Sequence, residues 1–193
     1  MAKSTAPTDL LRSRGWVVAA ASLETHPTWQ RSDRLTVDEA EVVLGRVGRN
    51  GAPAVLFDLF YSGCLGSDAM PALVAQTWSR AEWPASNVPR RIWIEWFRLA
   101  AYAASADPLT VYRGATPRFA RGMSWTIDRA KAQWFGDRWT LVTGKVAHVY
   151  TVTAPADAIL ADIDLIEGGG GRHEAEIVVD PVMLPKVRRA DPR

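Results

Sequence analysis

Three polar groups in strand-like stretches carry the chemistry open to this chain. They are Arg113 in Val111-Tyr112-Arg113-Gly114, the hydroxyl pair of Ser124-Trp125-Thr126, and the acids of Glu174-Ala175-Glu176, which open the apolar run Ile177-Val178-Val179. Arginine offers a permanently charged planar fork suited to phosphate. A carboxylate beside a sugar's anomeric carbon stabilises the positive charge that builds there as a leaving group departs. Two acids two residues apart on a strand share a face, close enough to raise one another's pKa and to divide two roles. Such a set suits a ligand with both phosphate and sugar, which is the outline of a nicotinamide dinucleotide.

The order and setting of these pieces, over residues 107–181, resemble the arginine-serine-glutamate clade of ADP-ribosyltransferases. That clade is marked by a strand arginine, a Ser-x-Thr strand and a terminal Glu-x-Glu. Here the Ser-x-Thr runs into a short helix with aromatics, and the Glu-x-Glu follows a glycine-rich loop, Glu167 to His173. The resemblance implies an α+β fold, with an ADP-ribosyltransferase-like core of two packed, mainly antiparallel sheets and an N-terminal helical part. It also implies NAD as co-substrate and no metal. By the same likeness Glu176 stabilises the oxocarbenium-like ribose, and Glu174 engages an acceptor, whose guanidinium fits between paired carboxylates and is therefore expected to be a protein arginine. Arg113 and Gly114 fall at the dinucleotide phosphate, Ser124 holds Glu176, Thr126 braces the strand or the nicotinamide pocket, and Trp134 or Phe135 offers a ring to nicotinamide. The chain departs from the family in the bulky Trp125 and in His173 just before Glu174. Strand alternation should send Trp125 to the face opposite Ser124.

Each residue has a plainer reading: Glu176 as a solvent-facing strand residue, Arg113 in a surface salt bridge, the hydroxyls as cross-strand pairs. Gly122-Met123-Ser124-Trp125 is the front of a nucleophile elbow, with Asp162 or Asp164 and His173 following in hydrolase order, but Thr126 replaces its second glycine. His26, Cys64, His148 and His173 are scattered without zinc spacing. Two further readings stand: a transferase acting on a nucleic-acid base or small molecule, and a binding or immunity module that keeps the fold without the activity.

With 193 residues, 48% of them hydrophobic and 23% charged, one folded domain is expected, residues 1–106 mainly helical and packed on a strand-rich 107–193. A net charge of +2 does not call for a nucleic-acid partner, although Lys186-Val187-Arg188-Arg189 is locally basic. The preference for arginine over lysine reads as the bias of a GC-rich bacterial or phage genome. One cysteine precludes an internal disulfide. The opening residues lack the pattern of a secretion signal, and Trp16 to Ala21 is too short for a membrane span, so no membrane partner and a cytoplasmic location are expected.

The spacing predicts a short strand or buried turn over Trp16–Ser22, then a helix from a Thr36/Glu39 capping box to about Val47, stopped by Gly48. Val55–Phe60 is open between strand and helix. Helices are expected over Met70–Glu82 and Pro89–Ser105, with Trp78, Trp83, Trp93 and Trp96 as core. Strands are expected over 109–112, 123–127, 141–147, 148–153, 158–162 and 177–182. One helix, Arg129–Phe135, interrupts them between an Asp128 cap and a Gly136 stop. Gly168–Gly171 reads as a mobile loop.

Overall fold

A computed structural model of the chain describes residues 6–29, 33–166 and 174–190, and the chain divides into two compact units, Met1–Ala100 and Ala101–Arg193. The expected loop at 168–171 and His173 lie outside the described residues.

The first unit is helical: α1 (Pro7–Ser13), α2 (Val17–Glu24), α3 (Val37–Arg46), α4 (Ala52–Tyr61), α5 (Met70–Arg80), α6 (Pro84–Asn87) and α7 (Arg90–Ala100). At α3 the Thr36 hydroxyl accepts from the Glu39 amide at 3.3 Å and the Glu39 carboxylate accepts from the Thr36 amide at 2.8 Å, the reciprocal box read from sequence. Gly48 follows with φ 74, a conformation glycine adopts without strain. The expected strand or turn at 16–22 is instead α2, in which Ala19, Ala20 and Leu23 are buried at helical spacing. A six-residue apolar run carries no period that separates the two. Trp78, Trp93, Trp96 and Phe97 form the core, with Trp93 edge-on to Trp78 at 5.0 Å and to Trp96 at 5.1 Å. Trp83 is 46% exposed and does not belong to that core. It precedes the short α6, whose Pro84 carbonyl accepts the Trp93 indole N–H at 2.9 Å. No helix among the described residues is long and apolar enough to cross a membrane.

The second unit contains β1 (Leu109–Ala115), β2 (Ser124–Thr126), α8 (Arg129–Thr143), β3 (His148–Ala154), β4 (Ile159–Asp162), β5 (Glu176–Val179) and β6 (Arg188–Arg189). The fold is thus mixed helix and antiparallel sheet. In place of two separate sheets, the described strands form one antiparallel sheet in the order β4-β5-β2-β1-β3-β6. Its two halves meet at a single pair, Tyr112↔Thr126, whereas β1 and β3 share seven. Residues of both halves nevertheless share one core: Val111, Val152 and Ala154 with Trp125, Ile159, Ile177 and Val179.

α8 does not stop at Gly136 but continues to Thr143, where Gly144 at φ 67 ends it, so the strand expected at 141–147 is absent over its helical part. Gly136 has a different task. α8 crosses β1 there, and a Cβ at Gly114 would overlap the Ala132 carbonyl and the Gly136 amide. Gly114 allows helix and strand backbones to touch, with Gly136 as the helix residue it meets.

Candidate active site

The β2–β5 ladder builds the centre of the site. Ser124 pairs with Val178, Trp125 with Ile177 and Thr126 with Glu176. Trp125 and Ile177 face the core, so alternation sends Ser124, Thr126 and Glu176 to the other face, as read from sequence. Ser124 is then the diagonal neighbour of Glu176, within reach of a side-chain contact. Tyr112, Thr126 and Glu176 form one cross-strand row.

Glu174 does not share that row by strand alternation. β5 begins at Glu176, and Ala175 is left-handed at φ 51, so the chain turns between the two acids. A non-glycine residue there carries a strain of roughly 1–2 kcal/mol, and three hydrogen bonds hold it. The Ala175 amide donates to Asp164 Oδ2 at 3.1 Å, its carbonyl accepts from the Ile127 amide at 3.3 Å, and the Glu174 carbonyl accepts the Thr126 hydroxyl at 2.9 Å. The buried Thr126 oxygen also accepts the Asp128 amide at 3.0 Å. One hydroxyl therefore joins the Glu174 backbone to the start of α8, where Asp128 caps the amides of Ala130 and Lys131. Asp164 is steadied by its own amide, which donates to Asp162 Oδ1 at 3.2 Å. Burial pushes the Asp162 carboxyl above its ordinary range, opposed by the hydrogen bond from the Asp164 amide.

Arg113 starts from the Val111 side of β1, the core face, opposite the one that alternation gives Ser124, Thr126 and Glu176, so it is not gathered with them as expected; it reaches β2 through backbone. Its Nε donates to the Phe119 carbonyl at 3.0 Å and its Nη1 to the Ser124 carbonyl. Beyond the Tyr112↔Thr126 pair, β1 no longer supplies amides to β2, and the guanidinium satisfies a carbonyl left open there. Gly122 makes room for it: a Cβ at 122 would lie 2.5 Å from Arg113 Cζ. The Gly122 carbonyl accepts the Trp125 indole N–H at 2.8 Å, which fixes that glycine against the guanidinium.

The remaining expected residues lie on α8 or against it. Gly114 meets the α8 backbone, which accounts for its missing side chain by packing. Trp134 is 55% exposed, with its ring 5.0 Å from Phe135 and under the Arg138 guanidinium at 5.6 Å. Ser124 lies on a strand antiparallel to its neighbour β5 and is followed by two more strand residues, a setting unlike the strand-to-helix turn of a nucleophile elbow.

Sequence reasoning read Gly122 only as part of a nucleophile-elbow pattern and missed its nonlocal packing against Arg113; it passed over Arg121, whose guanidinium donates to the carbonyls of Pro181, Leu184 and Pro185. Asp164, read from sequence only as a possible hydrolase acid, instead lies in an Asx-type turn that Asp162-Ile163-Asp164 has the composition for. No family model, curated protein or solved structure matches the chain.

Proposed function

We propose that the chain is a mono-ADP-ribosyltransferase that moves ADP-ribose from NAD to an acceptor, a protein arginine by first choice. The observation that carries this reading is the convergence of Ser124, Thr126, Glu174 and Glu176, from segments about fifty residues apart, on one ladder and one buried hydroxyl. In the reaction the bond from ribose C1′ to the nicotinamide nitrogen breaks, and the bonding pair leaves on neutral nicotinamide. The Glu176 carboxylate faces the charge that develops on the ribose and accepts a ribose hydroxyl. A guanidine nitrogen of the acceptor then bonds to C1′, and its proton passes to Glu174. Ser124, diagonal to Glu176, orients that carboxylate. Arg113 leaves β1 on the face opposite Glu176 and is engaged by the Phe119 and Ser124 carbonyls, so it takes no part in these steps.

The test is release of nicotinamide from NAD by the purified protein, with label transfer into a lysate followed by protease or nuclease digestion. Digestion also separates an arginine acceptor from a nucleic-acid base or small molecule. Glu176→Gln is expected to abolish both transfer and NAD hydrolysis, whereas Glu174→Gln removes transfer and spares part of the hydrolysis. Retention of both activities in Glu176→Gln refutes the assignment. A second reading, a binding module with this fold and no activity, draws on Arg113, whose two hydrogen bonds to backbone carbonyls give it a structural purpose. Absence of nicotinamide release with any acceptor favours it.

A further inference from the structure

We propose that Asp164 is a positioning residue that sets the direction of Glu174, and through it the division of the reaction between transfer and hydrolysis. The inference rests on the reading of Glu174 as the acid that meets the acceptor. Ala175, between the two acids, holds a left-handed backbone that alanine disfavours. Relaxing to an extended conformation would carry Glu174 into continuation of β5 and change where it points. The Asp164 carboxylate opposes that relaxation because it accepts the Ala175 amide at 3.1 Å from a turn eleven residues away. A carboxylate accepting an amide proton makes a stronger bond than a neutral acceptor does. Asp164 is itself fixed within the turn Ile163–Leu165 by its amide bond to Asp162. Glu176 lies beyond the kink, inside the β2–β5 ladder, and its place depends on strand pairing. Both acids are tied to β2, Glu174 through the Thr126 and Ile127 bonds at the kink, but only the kink is also held by Asp164, so loss of Asp164 acts first on Glu174.

The experiment compares wild type, Asp164→Ala, Asp164→Asn and the double variant Asp164→Ala/Ala175→Gly, using NAD alone and NAD with agmatine as the guanidine acceptor. Asp164→Ala should lower kcat for transfer by at least about tenfold, since a misplacement of one ångström at a reacting group costs up to about a hundredfold. Hydrolysis and KM for NAD should change by no more than about twofold, as expected when a transition-state contact is lost and substrate binding is kept. Asp164→Asn retains an acceptor oxygen and should restore transfer. Glycine at 175 adopts the left-handed conformation without strain, so the double variant should recover part of what Asp164→Ala lost. An equal fall in both activities, or no change in their ratio, overturns the inference. Wild type that consumes no NAD overturns the functional reading and this inference together; turnover with an unaltered ratio overturns this inference alone. Should Asp164→Ala not fold, amide exchange at Ala175 in the wild-type chain decides: protection is expected, and exchange at the free-peptide rate overturns the clamp.

Discussion

Alanine at position 122 would put a methyl carbon 2.5 Å from Arg113 Cζ, so the guanidinium must leave the Phe119 and Ser124 carbonyls. Hydrogen bonds from a charged donor contribute about 1.5–3 kcal/mol each, and part of that returns as the displaced group meets water. We expect Gly122→Ala to cost about 2 kcal/mol in wild type and almost nothing in an Arg113→Ala background, because residues in contact are not additive. A double-mutant cycle in urea checks it. Asp162 tests the same neighbourhood through pH. Its carboxyl titrates above the ordinary range in the folded chain, so its contribution is fully present below the unfolded pKa and is lost as pH rises through the folded one. Asp162→Asn stays neutral and keeps an acceptor for the Asp164 amide. It should stabilise the protein at pH 7 relative to wild type, and that advantage should vanish near about pH 3; a thermal-melt series in pH reads the sign. The strand face shared by Ser124 and Thr126, opposite Trp125, was legible from alternation. The left-handed Ala175 was not, because hydrogen bonds from segments distant in sequence impose it.

Gly114 and Gly136 meet where α8 crosses β1, yet they should tolerate alanine very differently. A Cβ at 114 collides with helix backbone, which cannot give way, and we expect Gly114→Ala to cost about 2–3 kcal/mol through overpacking. A Cβ at 136 would sit 3.7 Å from Gly114 Cα, an ordinary contact. Alanine is also the better residue inside a helix, so Gly136→Ala should stabilise by about 0.5–1 kcal/mol. Equal effects in chemical denaturation would refute this account of the crossing. The same pair explains the misread helix end: a glycine after an aromatic run looks like a stop, and only the opposing strand reveals it as a contact. Strands with clear alternation, β1 and β3 above all, were read to within a few residues. α2 was not, since its alanines and valines suit either state.

The division between a helical half and a strand-rich half was visible in the texture of the whole sequence, while the joining of six strands into one sheet depends on pairings that no local pattern encodes. The first unit carries Cys64, the only cysteine of the chain, fully buried and with its thiol pushed up by that burial. We expect Cys64 to resist a disulfide reagent at pH 8 until that unit opens. Its modification should then rise with urea in step with tryptophan fluorescence, since Trp78, Trp93 and Trp96 are buried in the same unit. Rapid labelling in native buffer would contradict the burial. In the second unit, among the described residues, the halves of the sheet meet in the ladder at one backbone pair, supported by the Arg113 side chain and by the core they share. A seam so sparsely laced parts before either flank unravels, so the amides of Tyr112 and Thr126 should trade hydrogen for deuterium sooner than those of the β1–β3 ladder beside them.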